Sequence, residues 1–505
     1  VIFEALKTTC ESPSNHLKVK AVDIFAKSFD YGLFDDEPDV VELTDKAVDI
    51  ISSCFDGEGT DPHVETQVLR ALTNSILIMP CHVASLLKAV RQIYNIFIFS
   101  LSLDNQLIAQ GTLNQVINAV FSRISEKEEQ KNRRLSISKE KDAVGSEPNG
   151  EIEPSEPLTL QSLERDVAGL DLDKDIDGSS PSSEDEVAIK DAFLIFRAMC
   201  KLSIKLLEEL LDMRLHLVRS KLLSLHIIHN ILKDHIEIFI QKDVVLLTLN
   251  ESTRLTNAIR QYLLLLLSRN AASPLTPVFE LSLEIFWLLI MNLRLDFKRE
   301  IPLFLDEIYL PVAEMKTLTP HQKRYFLSIV GKLCNDLRCI IEFYLNYDCD
   351  PQMPNICEKL IDYLTKLLLV RVDVTPQQKA AYRENKKHGI SVYDISKSAN
   401  LALGKMSLQA PEPEFYNSFP LEYALQMESI ESLVAFLKLL FSWAQKVTPN
   451  NAAPASGISF STNGSSTSLR RAHSNNDTTQ SPSNSVPNSL LFLTDESMDS
   501  QTGRA

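Results

Sequence analysis

His226, His229, Asp234 and His235 are the residues whose types and spacing come nearest to metal chemistry in this chain of 505 residues, because His226 and His229 lie one helical turn apart. The spacing is not His-Glu-x-x-His, however, and Leu225, Ile227 and Ile228 flank the pair on an amphipathic helix. The set therefore reads as a helix-surface or packing group. Cys349 and Cys357 with Asp348 and Asp350 bring thiols and carboxylates together, but they lack a histidine and a second close pair. No metal and no other cofactor is expected. Nucleotide chemistry is disfavoured as well, since neither a GxxxxGK[ST] loop nor a GxGxxG turn after a strand is present, and a GxSxG elbow is also missing.

A denser constellation is Asn346-Tyr347-Asp348-Cys349-Asp350, which interrupts the apolar helical run Ile340-Ile341-Glu342-Phe343-Tyr344-Leu345 and precedes Pro351 and Pro354. Two acids, an amide and a phenol in five residues must satisfy backbone groups or touch a partner. One reading is a helix C-cap and turn, with Tyr347 burying its ring and Asp348 capping backbone donors. The other is a recognition surface. The structural role is the expectation here.

Around these residues the chain must supply helices. Glycine is scarce at 14 residues, apolar residues make up 44%, and the periodic stretches are long, which argues for a mostly helical protein. The first block reads as amphipathic helices over 17–31, 40–54, 65–79, 84–101 and 105–124, with Gly, Pro and Asp at the breaks. The second reads as helices over 192–213, 217–240, 253–267, 274–293, 298–313, 321–345, 356–370 and 429–445. Phe193, Phe196, Cys200, Ile204 and Leu207 trace one buried stripe. Helices of this length joined by short turns stack as hairpins, so the expected fold is all-α, an armadillo- or HEAT-like helical solenoid with degenerate repeats.

Four segments are expected: a helical domain over 1–125, an acidic Ser-rich disordered linker over 126–186, a helical domain over 187–446, and a disordered Ser/Thr/Asn-rich tail over 447–505. The net charge of −16 disfavours a nucleic-acid binder. Between Glu147 and Glu186 there are thirteen acids against two bases, so most of the excess sits in the linker. That linker contains Arg133-Arg134-Leu135-Ser136, suited to a basophilic kinase, and Ser182-Ser183-Glu184-Asp185-Glu186, suited to an acidophilic one. Ser136 and Ser183 are the candidate phosphosites. Arg371 to Met406 is locally basic; a solvated connection is the default there, with contact to an anionic lipid surface or an acidic partner as the alternative. The eight cysteines form no CxxC pair and read as thiols of a reducing compartment. No run approaches the roughly 20 apolar residues of a spanning helix, so membrane contact is expected to be peripheral. A chain opening at Val1 suggests a fragment.

The pentapeptide at 346–350 resembles the HUS box of the large Arf-type guanine-nucleotide exchange factors, the late-Golgi BIG-type branch in particular. The run Asp191-Ala-Phe-Leu-Ile-Phe-Arg-Ala-Met-Cys-Lys-Leu-Ser-Ile-Lys205 looks like the opening helix of the same HUS domain. Val90-Arg91 and Tyr94-Asn95-Ile96, leading to Gly111-Thr112-Leu113 and Val120-Phe121-Ser122-Arg123, is similar to that family's DCB domain. The resemblance spans roughly residues 1–445. It implies a DCB-like first block and a HUS-like second block, without the separate exchange domain whose acidic finger does the family's chemistry. The implied role is a noncatalytic regulatory region on Golgi (trans-Golgi) membranes, with Arf, Arf-like or Rab GTPases, a second copy of the chain and the exchange domain as partners. Tyr94, Asn95, Gln106, Thr112 and Gln115 form the candidate interaction region of the first block, or else act in helix packing and hydrogen bonding. An unrelated cytosolic armadillo-type adaptor or transport scaffold is the competing reading.

Overall fold

The computed structural model describes residues 2–34, 39–138, 184–205, 216–247, 252–387 and 418–447. The first block contains α1 (Ile2–Cys10), α2 (Asn15–Asp30), α3 (Val40–Ser53), α4 (Pro62–Leu77), α5 (Val83–Phe99) and α6 (Leu103–Ser138). The second begins with α7 (Glu184–Ile204), α8 (His216–Asp234), α9 (Ile236–Ile240), α10 (Leu255–Asn270) and α11 (Thr276–Asn292). It continues with α12 (Glu300–Phe304), a π-helical turn (Leu305–Tyr309), α13 (Leu310–Glu314), α14 (Pro320–Cys334) and α15 (Leu337–Phe343). A second π-helical turn (Tyr344–Asp348) leads to α16 (Ile356–Leu368), α17 (Pro376–Lys387) and α18 (Leu421–Val447). The fold is an all-α helical solenoid: α2 packs on α4, α5 on α6, α7 on α8 and α10, α8 on α11, and α14 on α18.

Local chemistry explains where these helices start. Asp61 accepts a 2.8 Å hydrogen bond from the His63 amide at the head of α4, with Pro62 in the first helical position. Thr319 and Gln322 form a reciprocal capping box on α14. Asp336 accepts from the Cys339 amide at 2.6 Å and so begins α15, breaking the single helix expected over 321–345. Phe193, Phe196 and Cys200 lie in the core as their spacing requires.

Three helices and a two-stranded ladder depart from the sequence reading. Helix α6 runs to Ser138, beyond the boundary placed at 125, because Glu126 to Leu135 consists of strong helix formers without an apolar period. Helices α1 and α17 were not anticipated, the first being short and the second nearly devoid of apolar residues. A two-stranded antiparallel ladder (β1 Val245–Leu247, β2 Ser252–Arg254) pairs Val245 with Arg254 and closes the gap between α9 and α10.

One apolar cluster extends from Leu6 in α1 to Leu425 in α18, and residues 1–447 form one unit. The blocks expected as two domains therefore share a core: α6 packs on α7, and α5 packs on both α7 and α8. Ser136 lies on α6. Ser183, most of the acidic linker, and the tail from 448 onward lie outside the described residues.

Candidate functional site

Helix α5 shares the contact between the blocks with α6 and is held at both ends by α7 and α8. At its head, the Asp191 carboxylate, buried within α7, accepts the Val83 amide at 2.7 Å and faces His82 Nδ1 at 2.7 Å. Val83 has φ of 48°, a left-handed conformation that a β-branched residue adopts only under constraint, and the Asp191 contact supplies that constraint. At the tail, the Arg219 guanidinium from α8 donates to the carbonyls of Phe97 at 2.7 Å and Ile98 at 3.1 Å. It also donates to Gln106 Oε1 at 3.0 Å and sits 4.9 Å from the centroid of the Phe97 ring. An acid thus meets the positive end of α5 and a base its negative end, the favourable sense for the helix dipole.

Midway along, Tyr94 donates its hydroxyl to the Ser220 carbonyl at 2.8 Å or to Ser220 Oγ at 2.7 Å, and burial pushes its phenol up. The candidate residues of the first block therefore divide. Tyr94 and Gln106 face α8, Thr112 is buried, Asn95 is half-buried and donates to Gln92 at 3.2 Å, and Gln115 is exposed. Asp191, Arg219 and Ser220 were missed as contact residues. Their only sequence signal is polarity on an otherwise apolar helix face, which does not name a partner.

The turn leaving α5 is also fixed. Glu65 is buried and accepts from Ser100 Oγ at 2.6 Å and Asn105 Nδ2 at 2.7 Å, while Gln106 donates to the Ser100 carbonyl at 2.6 Å. On this rigid corner Leu101 is 79% exposed, and Phe99, Leu103, Leu107 and Ile108 are exposed beside it. His216 at the head of α8 lies against Phe99, with ring centroids 5.1 Å apart, and the neighbouring Leu217 is exposed too.

The pentapeptide 346–350 sits at the second π-helical turn. Tyr347 is buried edge-on against Phe343 at 5.2 Å. Asp348 accepts from the amides of Cys357 and Glu358, both at 2.9 Å, and so satisfies the first turn of α16 from outside that helix. Asp350 accepts from the Gln352 amide at 3.1 Å and faces Lys298 Nζ at 3.4 Å. Cys349 is exposed and Asn346 half-buried.

His226 and His229 are both buried on α8, and no group of residues suited to a metal ion occurs among the described residues. Burial pushes His226 down to about 4, whereas an unfolded imidazole titrates near 6.5. The unfolded state takes up a proton that the folded state refuses. Stability present at pH 7 is therefore lost as the pH falls from about 6.5 toward 4. The expected loss from this group between pH 7 and pH 5 is about 2 kcal/mol, and a His226→Gln variant should show a flatter pH dependence of its urea midpoint.

Residues 188–356 match the Mon2/Sec7/BIG1-like HUS domain, a span that includes Asp191, Arg219 and the pentapeptide. The chain is 42% identical over 514 residues to the ADP-ribosylation factor guanine nucleotide-exchange factor SEC7 of Saccharomyces cerevisiae, covering 94% of this chain and 25% of that protein. It is 32% identical over 468 residues to the factor sec71 of Schizosaccharomyces pombe, with 88% of this chain and 25% of that one covered. With the human Brefeldin A-inhibited guanine nucleotide-exchange protein 1 the identity is 23% over 605 residues, covering 89% and 30% respectively. The chain thus spans about a quarter of the length of these relatives.

Proposed function

The chain belongs to the family of Sec7- and BIG-type large Arf guanine-nucleotide exchange factors, and from that premise we propose that it is a noncatalytic regulatory region, a DCB-like block (1–125) joined to a HUS-like block (187–446), that recruits its parent protein to Golgi membranes through activated small GTPases. In the same reading the region self-associates and controls the exchange domain in vesicle trafficking. The observation that carries this reading is the α5–α6 corner. Leu101, Leu103, Leu107 and Ile108 present an apolar surface to solvent on a backbone that buried Glu65 and Gln106 hold in place. An exposed apolar patch on a rigid frame is the usual form of a docking surface. No helix among the described residues is long and apolar enough to cross a membrane, which makes a protein-mediated contact with the membrane the simplest arrangement.

The test uses purified chain, liposomes, and a panel of Arf, Arf-like and Rab GTPases loaded with GTP analogue or GDP. The expected result is capture by at least one GTPase in the GTP form only, weakened about tenfold or more by Leu101→Glu with Ile108→Glu while the urea midpoint is unchanged. Capture indifferent to the nucleotide, or no capture by any member, would overturn the recruitment reading.

A further inference from the structure

A cleft of about 270 Å³ opens in the second block, where the ends of α13 and α16 meet α14 and α18. Much of its lining is apolar. Tyr363 and Leu425 are buried in it, Leu367 is half-buried and Val370 is exposed. Three charged side chains complete the wall: Lys366 donates to Glu314 Oε1 at 2.9 Å and ties α16 to α13, while Lys323 has no ionic partner among the described residues.

The cleft is built before anything enters it. The Gln426 side-chain amide of α18 donates to the carbonyls of Leu368 at 2.8 Å and Val370 at 3.3 Å, which fixes the chain as it leaves α16. The Thr319–Gln322 capping box fixes the head of α14 immediately before Lys323. Walls held in this way lower the ordering cost of binding.

Size and charge select the occupant. Small-molecule sites run to roughly 300–1,000 Å³. A cleft of about 270 Å³ suits one large apolar side chain and its neighbours better than a whole cofactor. Two ammoniums against one carboxylate leave the lining with one formal positive charge, in a chain whose net charge is −16. Lys323 therefore calls for an anion beside the apolar side chain. A phospholipid fits poorly, because Glu314 repels its phosphate and the space is small for an acyl chain. A peptide fits better: its acid meets Lys323, its apolar side chain meets Tyr363, Leu367 and Leu425, and a backbone N–H meets the Glu314 oxygen that Lys366 leaves open.

We propose that this cleft is a docking site for a short acidic and apolar segment of a partner protein, in which a leucine, methionine or phenylalanine lies within two residues of an aspartate or glutamate. None of its lining residues belongs to the α5–α6 corner, so the site does not rest on the recruitment reading.

The experiment probes an array of random dodecapeptides with the whole purified chain, and phosphatidylserine–phosphatidylcholine vesicles in parallel. The strongest binders are remade with a fluorescein label and their Kd read by polarisation. The expected binders carry the acidic and apolar pair, and replacing the peptide's acid by its amide weakens them about tenfold or more. Lys323→Glu and Val370→Glu should each weaken them about tenfold or more with the urea midpoint unchanged, while Lys323→Arg retains binding. The Leu101→Glu, Ile108→Glu variant should bind these peptides as wild type does, which separates this site from the GTPase test. Binders without the pair, binders held equally by Lys323→Glu and Val370→Glu, or Lys323-dependent capture on the vesicles without peptide binding would each overturn the proposal. The array and the amide peptides need only the wild-type chain, so a variant that failed to fold would not remove the test.

Discussion

Replacing Arg219 by alanine lowers the unfolding free energy by about 3–5 kcal/mol. Arg219 is 3% exposed, and the partners of its guanidinium are the carbonyls of Phe97 and Ile98, the Gln106 amide oxygen and the face of Phe97. Burial works against its charge and holds the guanidinium below its usual range. Alanine removes three charge-assisted hydrogen bonds, leaves carbonyls at the end of α5 unmet, and opens a cavity where the stem packed. Arg219→Met separates these effects. It keeps most of the volume and removes the buried charge, so its loss should be about half that of alanine or less. Urea unfolding reads both values, and hydrogen exchange locates them: protection should fall in α5 and α8 together. If Arg219→Ala melts as wild type does, the Arg219 hydrogen bonds add nothing net to the joint between the blocks.

The second large effect is at the π-helical turn. Tyr347→Ala should cost about 3–5 kcal/mol, because it deletes a fully buried ring packed edge-on against Phe343. Tyr347→Phe keeps that packing and should cost far less. Asp348→Ala should cost about 1–2 kcal/mol through the Cys357 and Glu358 amides it leaves unpaired at the head of α16. The two losses should not add when combined, since both residues hold the same turn against α16. Thermal melts of the two single variants and the double variant check this directly. A double variant that melts as wild type does would mean that the pentapeptide holds nothing in the fold and that its polarity serves an external contact.

The helices themselves were legible in the sequence, since a 3.6-residue apolar period both makes a helix and marks the face it buries; Phe193, Phe196 and Cys200 all lie where that period puts them. So was the turn at 346–350. A phenol beside a carboxylate at the end of an apolar run has few places to go except a ring into the core and an acid onto backbone amides, and Tyr347 and Asp348 do both. Where periodicity is silent the reading failed: charged, apolar-poor stretches such as Glu126 to Leu135 and α17 fold as helices through residue propensity.

Composition and periodicity, read along the chain alone, determined an all-α stack and the polar turn before α16. Only the tertiary structure decided that the two blocks share one core and that α5 is gripped at both ends. The reason is one of distance along the chain. Asp191 and Val83 are 108 residues apart, Arg219 and Phe97 122, and Tyr94 and Ser220 126. Local patterns report which face a residue occupies within its own helix, whereas the partner of a buried Asp or Arg is set by how distant helices pack, and no local period encodes that.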